Sequence, residues 1–295
     1  MNALILGYNG FVSSSLVPLL LDAGMIVRPS AVRFTGKDGE SALLRAEIID
    51  HRIDCVVCCI GRTHPPGQNG GTIDYLEDNP DVNVRDNMFA PVMCASICNV
   101  LGVHFTYIGS GCIFEYTDIE HPELGPIHTE SSAPNFKGSQ YSMMKGYTDQ
   151  IMSTLPVLNI RIRMPITDIQ QPRNLIDKLV KYPKIHSVPN SMSVMNDLMP
   201  ILASLVYKRE CGTFNLVCKG VITHREIIEM YTEIVDPTHT CEYITTEKLQ
   251  SLVSAGRSNC HLSTDKLESM FDVPDIHDSV RRCMIRRKDY ATSTV

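Results

Sequence analysis

The sequence predicts an α/β fold built on a doubly wound parallel sheet, and three observations carry that expectation. An apolar run, Ala3-Leu4-Ile5-Leu6, passes directly into a glycine turn, Gly7-Tyr8-Asn9-Gly10. Short apolar strands then alternate with helical segments through the first half of the chain. Later strands end on small residues, at Gly61 and at Gly109-Ser110-Gly111-Cys112, the end at which such sheets bind ligands.

Residues 3–6 suit a buried parallel strand. The Gly7-x-x-Gly10-x-x-Ser13 turn and the apolar segment 16–23 follow it. Strand, glycine turn and helix make the layout whose backbone N–H groups and helix dipole receive a pyrophosphate. Ser13 replaces the usual third glycine and is small enough for close helix–sheet packing. Pro18 predicts a kink. The next strand region, 25–34, offers Arg28 and Arg33 but no carboxylate before Asp38. Guanidinium groups suit a ribose 2′-phosphate, which favours NADPH over NADH.

Residues 54–60 read as a buried strand ending at Gly61-Arg62-Thr63, followed by a Pro/Gly-rich loop over 64–72. Residues 84–100 predict an amphipathic helix with Met88, Phe89, Val92, Met93, Ile97 and Val100 on its apolar face. A strand over 103–108 leads into the Gly109-Ser110-Gly111-Cys112 turn, and another over 158–163 precedes Met164-Pro165. Between them a helix carries Tyr141 and Lys145, four residues apart and so about one turn from each other. Of the eleven tyrosines only Tyr141 has a lysine four positions on. An ammonium beside a phenol favours the phenolate and makes an acid–base group usable near neutral pH.

Composition limits the function classes. With 295 residues, 43% of them hydrophobic, the chain can build one large or two modest domains. A net charge of −6 gives no electrostatic reason to expect nucleic acid or a membrane surface as partner. No apolar run approaches the roughly 20 residues of a membrane span, and no signal peptide is evident, so a cytoplasmic setting is expected. Eleven cysteines include Cys55-Val56-Val57-Cys58-Cys59, but no histidine or second cysteine pair accompanies that run. Reduced buried thiols are expected, and no metal site. Thr223-His224-Arg225-Glu226 predicts a capping box, a structural signal.

With these elements in place, the sequence resembles the extended short-chain dehydrogenase/reductase superfamily. Within it, the chain is similar to the nucleotide-rhamnose synthases, the UDP-4-keto-6-deoxyglucose 3,5-epimerase/4-reductases known from plants. The resemblance runs through Gly111-Cys112-Ile113-Phe114-Glu115-Tyr116, Pro134-Asn135-Phe136, Arg161-Ile162-Arg163-Met164-Pro165-Ile166 and Pro172-Arg173-Asn174. It continues through Val188-Pro189-Asn190-Ser191-Met192, Glu229-Met230-Tyr231 and Arg257-Ser258-Asn259. Fewer positions carry a similarity to dTDP-4-dehydrorhamnose reductase and GDP-fucose synthase.

This resemblance implies a Rossmann-type NADPH-binding domain over residues 1–165. Residues 166–295 would form a smaller, mainly substrate-binding α/β domain, part of which returns to the first. It implies Tyr141 as proton donor, Lys145 as its partner on the nicotinamide ribose, and Ser110 as the hydrogen-bond donor to a ketone. Cys112 matches the epimerisation cysteine of the GDP-fucose synthase pattern, and Lys178 or His186 would be the opposing acid. Cofactor contacts fall on Gly7, Asn9, Gly10, Phe11, Val12, Arg33, Gly61, Arg62, Asn87, Tyr141, Lys145 and Pro165. Substrate contacts fall on Gly111, Cys112, Asn174, Asn190 and Arg257, with the two asparagines either reading the sugar or base or stabilising loops. A homodimer and an upstream 4,6-dehydratase supplying the substrate are further expectations. The rival readings are a dTDP-4-dehydrorhamnose reductase without epimerase activity and a non-catalytic NADPH-binding regulator.

Overall fold

A computed structural model describes residues 1–65, 67 and 71–293. Pro66 and residues 68–70 of the predicted 64–72 loop lie outside the described residues. The strands are β1 (Asn2–Leu6), β2 (Ile26–Pro29), β3 (Cys55–Cys58), β4 (His104–Ser110), β5 (Ile127–His128), β6 (Leu158–Ile162), β7 (Lys184–His186), β8 (Gly212–Asn215), β9 (Glu242–Ile244) and β10 (His261–Leu262). The helices are α1 (Phe11–Asp22), α2 (Glu40–Asp50), α3 (Pro80–Val84), α4 (Ala90–Leu101), α5 (Gln140–Ser153), α6 (Leu175–Lys181), α7 (Met195–Tyr207), α8 (His224–Ile234), α9 (Thr246–Gln250), α10 (Asp265–Glu268) and α11 (Ile276–Ser293).

Six strands form one parallel sheet in the order β2-β1-β3-β4-β6-β8. Successive residues of a strand face opposite sides, and both faces are covered. Ala3, Ile5, Cys55 and Val57 enter a core shared with Leu16, Val17 and Leu20 of α1 and Leu198, Leu202 and Leu205 of α7. Leu4, Leu6, Val56 and Cys58 enter the other, with Leu44 and Ile48 of α2, Cys94 and Cys98 of α4 and Met152 of α5. Each fully buried aliphatic side chain contributes roughly 1.5–3 kcal/mol, so these two cores hold the layers together. Cys55 and Cys58 therefore point to opposite faces, and all eleven cysteines are free thiols.

The winding reverses between β1 and β3, which opens a crevice beyond the carboxyl ends of β1, β3, β4 and β6. The sixth strand, β8, and helix α7 come from beyond residue 165 and complete the sheet edge and the α1 face. Two smaller parallel pairs lie outside this sheet, β5 with β10 and β7 with β9, and β7 faces the crevice.

Two local expectations concern helix geometry. Helix α1 runs from Phe11 to Asp22 through Pro18. Pro18 and Ser14 are both exposed, so the carbonyl that the proline leaves without a donor faces water. The predicted apolar face of 84–100 is wrong in part, because Phe89 and Val100 are exposed. A π-helical turn, Arg85–Phe89, joins α3 to α4 and adds a residue to the winding. It turns Asp86 and Asn87 inward, a polar face that apolar periodicity does not register.

Candidate active site

The crevice holds a cavity of about 430 Å³. Gly10, Phe11 and Val12 line it from the start of α1, Gly61 and Arg62 from the end of β3, and Ser110 and Cys112 from the end of β4. Tyr141 and Lys145 enter from α5, Pro165 from the segment after β6, Lys178 from α6, His186 from β7, and Arg257 from the segment before β10.

At the β4 end, the Cys112 backbone N–H donates to Ser110 Oγ at 3.0 Å, which fixes the turn. The Ser110 hydroxyl also faces Tyr141 in the same cavity. Helix α5 delivers the tyrosine because Ser139 caps it, accepting from the Ser142 N–H at 3.1 Å. Met164, which follows Arg163 in the wall, has φ +41°, a left-handed conformation that is strained for a side chain of this size.

The expected Tyr141–Lys145 pairing is not what the side chains make. Lys145 Nζ donates to Tyr107 Oη at 2.9 Å instead. Burial pushes the Tyr141 phenol up, the Cys112 sulfur adds to that, and the Ser110 hydroxyl opposes it. Burial brings the Lys145 ammonium down to about 8. Lys178 is also drawn down, first by burial and then by the Arg173 and Arg257 cations. His186 is lowered by burial, and its Nε2 lies 2.9 Å from Thr246 Oγ1.

Several predicted contacts are structural in this fold. Asn174 is fully buried and caps α6, with its amide donating to Thr167 O at 2.7 Å and Ile169 O at 3.1 Å. Asn190 is likewise buried, bonded to Arg163, Val188 O, Asn259 and the Cys260 N–H. Neither amide has capacity left for a ligand. A Cβ on Gly111 would stand 2.6 Å from Leu262 Cδ1, so Gly111 is there for packing. Asn87 is buried and grips the backbone of Arg62 in both directions at 3.0 Å, shaping the cavity without lining it. Arg33 is exposed and outside the lining, and Gly7 and Asn9 form the turn beneath the start of α1.

Sequence reasoning missed three features. His224, inside the capping box, also lines the cavity, and its buried Nε2 has no hydrogen-bond partner among the described residues. Burial takes it down to about 4. Arg257 is held by Asp74 at 2.6 Å, a residue whose sequence context gave no signal. Arg163 touches Cys112 Sγ at 3.2 Å.

The residues present fit a dinucleotide. Gly7 has φ +78°, and a Cβ there would meet the Cys59 carbonyl carbon at 3.1 Å. A Cβ on Gly61 would intrude to 3.2 Å from Lys145 Nζ. These glycines let β1, β3 and Lys145 close tightly beneath the start of α1, where Gly10, Phe11 and Val12 line the cavity and no side chain among the described residues caps the helix, which leaves its N-terminus for a phosphate.

No protein-family model matches the chain. The crystal structure of the L780 UDP-rhamnose synthase from Acanthamoeba polyphaga mimivirus is 38% identical, covers 97% of this chain and 99% of its own, and superposes with a TM-score of 0.90. A bifunctional dTDP-4-dehydrorhamnose 3,5-epimerase/dTDP-4-dehydrorhamnose reductase of Arabidopsis thaliana is 32% identical over 273 residues, 92% of this chain and 87% of the relative. A dTDP-4-dehydrorhamnose reductase from Clostridium acetobutylicum, 19% identical with a TM-score of 0.75 over 99% of this chain and 100% of its own, shares the fold. Identity of this extent along nearly the whole length, on a parallel sheet carrying Ser110, Tyr141 and Lys145 at one crevice, makes the chain a member of the nucleotide-rhamnose synthase family of extended short-chain dehydrogenases/reductases.

Proposed function

We propose that this enzyme converts UDP-4-keto-6-deoxy-D-glucose to UDP-L-rhamnose, inverting C3 and C5 and then reducing C4 with NADPH. The observation that carries the reading is the cluster of Ser110, Cys112 and Tyr141 in one cavity with Lys178. A C4 ketone acidifies the hydrogens at C3 and C5. Cys112 takes those protons, Ser110 holds the enolate oxygen, and Lys178 returns protons on the other side of the ring. The lowered Lys178 ammonium suits that donation, whereas His186 Nε2 is already engaged with Thr246. Tyr141 then protonates the C4 oxygen. The nicotinamide, when bound, supplies the hydride.

NADPH is favoured over NADH by Arg28 and Arg33 and by the absence of an acidic residue at 25–34. Arg257 is positioned for a diphosphate. On this reading a 4,6-dehydratase supplies the substrate. A cytoplasmic setting is supported by eleven free cysteines, and a homodimer is expected from the family. Among the described residues no helix is long and apolar enough to cross a membrane. The thiol at residue 112 favours the bifunctional reaction over a reductase alone, which has no use for it there.

The test is incubation with UDP-4-keto-6-deoxyglucose and either NADPH or NADH, with the sugar product identified by NMR. UDP-rhamnose formed faster with NADPH is the expected result. A product reduced at C4 without inversion at C3 and C5 would leave a plain reductase.

A further inference from the structure

We propose that Arg163 is a positioning residue whose buried charge holds the Cys112 sulfur as a thiolate, so that the epimerisation base is ionised before substrate arrives. The inference deepens the reading above and rests on Cys112 being that base.

Arg163 follows the last residue of β6 and is 1% exposed. Its backbone is clamped to Ser193 on both sides, so the guanidinium projects from a fixed point. Nη1 donates to Cys112 Sγ at 3.2 Å and to Ser258 Oγ at 3.0 Å. Nη2 donates to Ser258 O at 2.7 Å and to Asn190 Oδ1. Nε has no acceptor among the described residues. No carboxylate pairs with this cation among them.

Arg161, two residues earlier on the same strand, supplies the contrast. It is equally buried, and the Asp149 carboxylate meets it at 2.9 and 2.7 Å. A guanidinium taken out of water calls for an anion, because neutral acceptors do not offset the lost hydration. Ser258 and Asn190 cannot supply one. The ionisable acid that Arg163 touches is Cys112, which reaches the cavity and is only half-buried.

The other ionisable groups around the sulfur fit this assignment. Burial holds Cys260 up at about 11 even with Arg163 beside it, and Cys260 Sγ turns away to Gly111 O at 3.6 Å. Tyr141 is pushed up by burial and remains a neutral phenol. The cations Lys145, Lys178 and Arg257 share the cavity with the neutral imidazoles of His186 and His224, and none of these opposes a negative sulfur. During epimerisation the thiolate takes a proton from C3 or C5, and the C–H electron pair passes into the enolate. Sulfur becomes a neutral thiol as the sugar oxygen becomes negative, so one negative charge passes from the sulfur to the sugar.

The experiment uses the full chain alkylated briefly with iodoacetamide at a series of pH values, with each cysteine peptide quantified by mass spectrometry. Carbon bonds to sulfur and iodide leaves, so the rate follows the thiolate fraction. Exposed Cys211 is the internal control. As pH falls, Cys112 alkylation is expected to persist at its plateau after Cys211 has dropped roughly ten-fold. Parallel decline of the two in the wild-type protein overturns the proposal, whether or not any variant folds. Arg163→Gln should shift the Cys112 profile to higher pH, and Arg163→Lys should shift it less. Deuterium exchange in Cys112→Ala separates the two readings. If exchange persists there, Cys112 is not the base, while the alkylation profile still decides whether Arg163 holds a thiolate.

Discussion

Lys145 Nζ donates to Tyr107 Oη at 2.9 Å, so the lysine four residues after Tyr141 is anchored on β4 and not on its helix neighbour. The phenol of Tyr107 is itself buried and pushed well up by that burial, so it accepts as a neutral group. The hydrogen bond favours the ammonium, while burial opposes it and brings Lys145 to about 8. Lys145 is therefore charged below about pH 8 and neutral above it. Reduction should be lost as pH rises through that value. Tyr107→Phe removes the acceptor and should move this alkaline limb to lower pH, read from kcat/KM against pH. A limb that does not move would detach Tyr107 from the lysine's function.

Tyr141→Phe should nearly abolish NADPH oxidation while leaving cofactor binding intact. The phenylalanine keeps the ring and its packing, and removes the proton donor that Ser110 faces. Positioned acid–base groups contribute about 10²–10⁴ in rate. Turnover within a few-fold of wild type would remove Tyr141 from the chemistry.

Cys112→Ala should block exchange of deuterium from D₂O into C3 and C5 with NADPH absent, because the base is gone. Ser110, Tyr141 and Lys145 remain, so UDP-4-keto-rhamnose supplied directly should still be reduced. Loss of both activities in a variant that binds cofactor normally would contradict this division of labour.

Asp74→Asn should raise KM for the nucleotide sugar while changing kcat little. Burial alone would raise the Asp74 carboxyl, but hydrogen bonds from Arg257, Ala255 and Thr72 hold it well below the usual range. The carboxylate thus fixes Arg257 at the cavity. A charge-assisted hydrogen bond contributes about 1.5–3 kcal/mol, which corresponds to a KM increase on the order of ten-fold or more. An unchanged KM would mean that Arg257 does not reach the substrate.

The sheet was legible in the sequence because its strands are short, apolar and closed by glycine, and parallel strands covered on both faces read that way. Ser110, Tyr141 and Lys145 were legible as residue types at strand ends and helix spacing. What spacing did not convey is the partner of each polar group. Lys145 pairs with Tyr107, thirty-eight positions earlier. Asn174 and Asn190 look like ligand readers in a sequence string, yet their amides are used up by buried backbone and, for Asn190, by the Arg163 and Asn259 side chains. The Asp74–Arg257 pair spans 183 positions and leaves no local trace.

The placement of β8 and α7 has a consequence for how this chain can be handled and how it can vary. A fragment stopping at residue 165 would carry the glycine turn, the tyrosine and the lysine, yet β6 would present a bare ladder of N–H and C=O groups, and α1 would lose the apolar helix that covers it. An uncovered strand edge beside exposed leucines invites pairing with another copy. The two halves of the sequence are thus interleaved in one cooperative unit. Recombination at residue 165 would yield aggregating pieces, and insertions are tolerable only at surface loops, where neither the sheet nor its cover is cut.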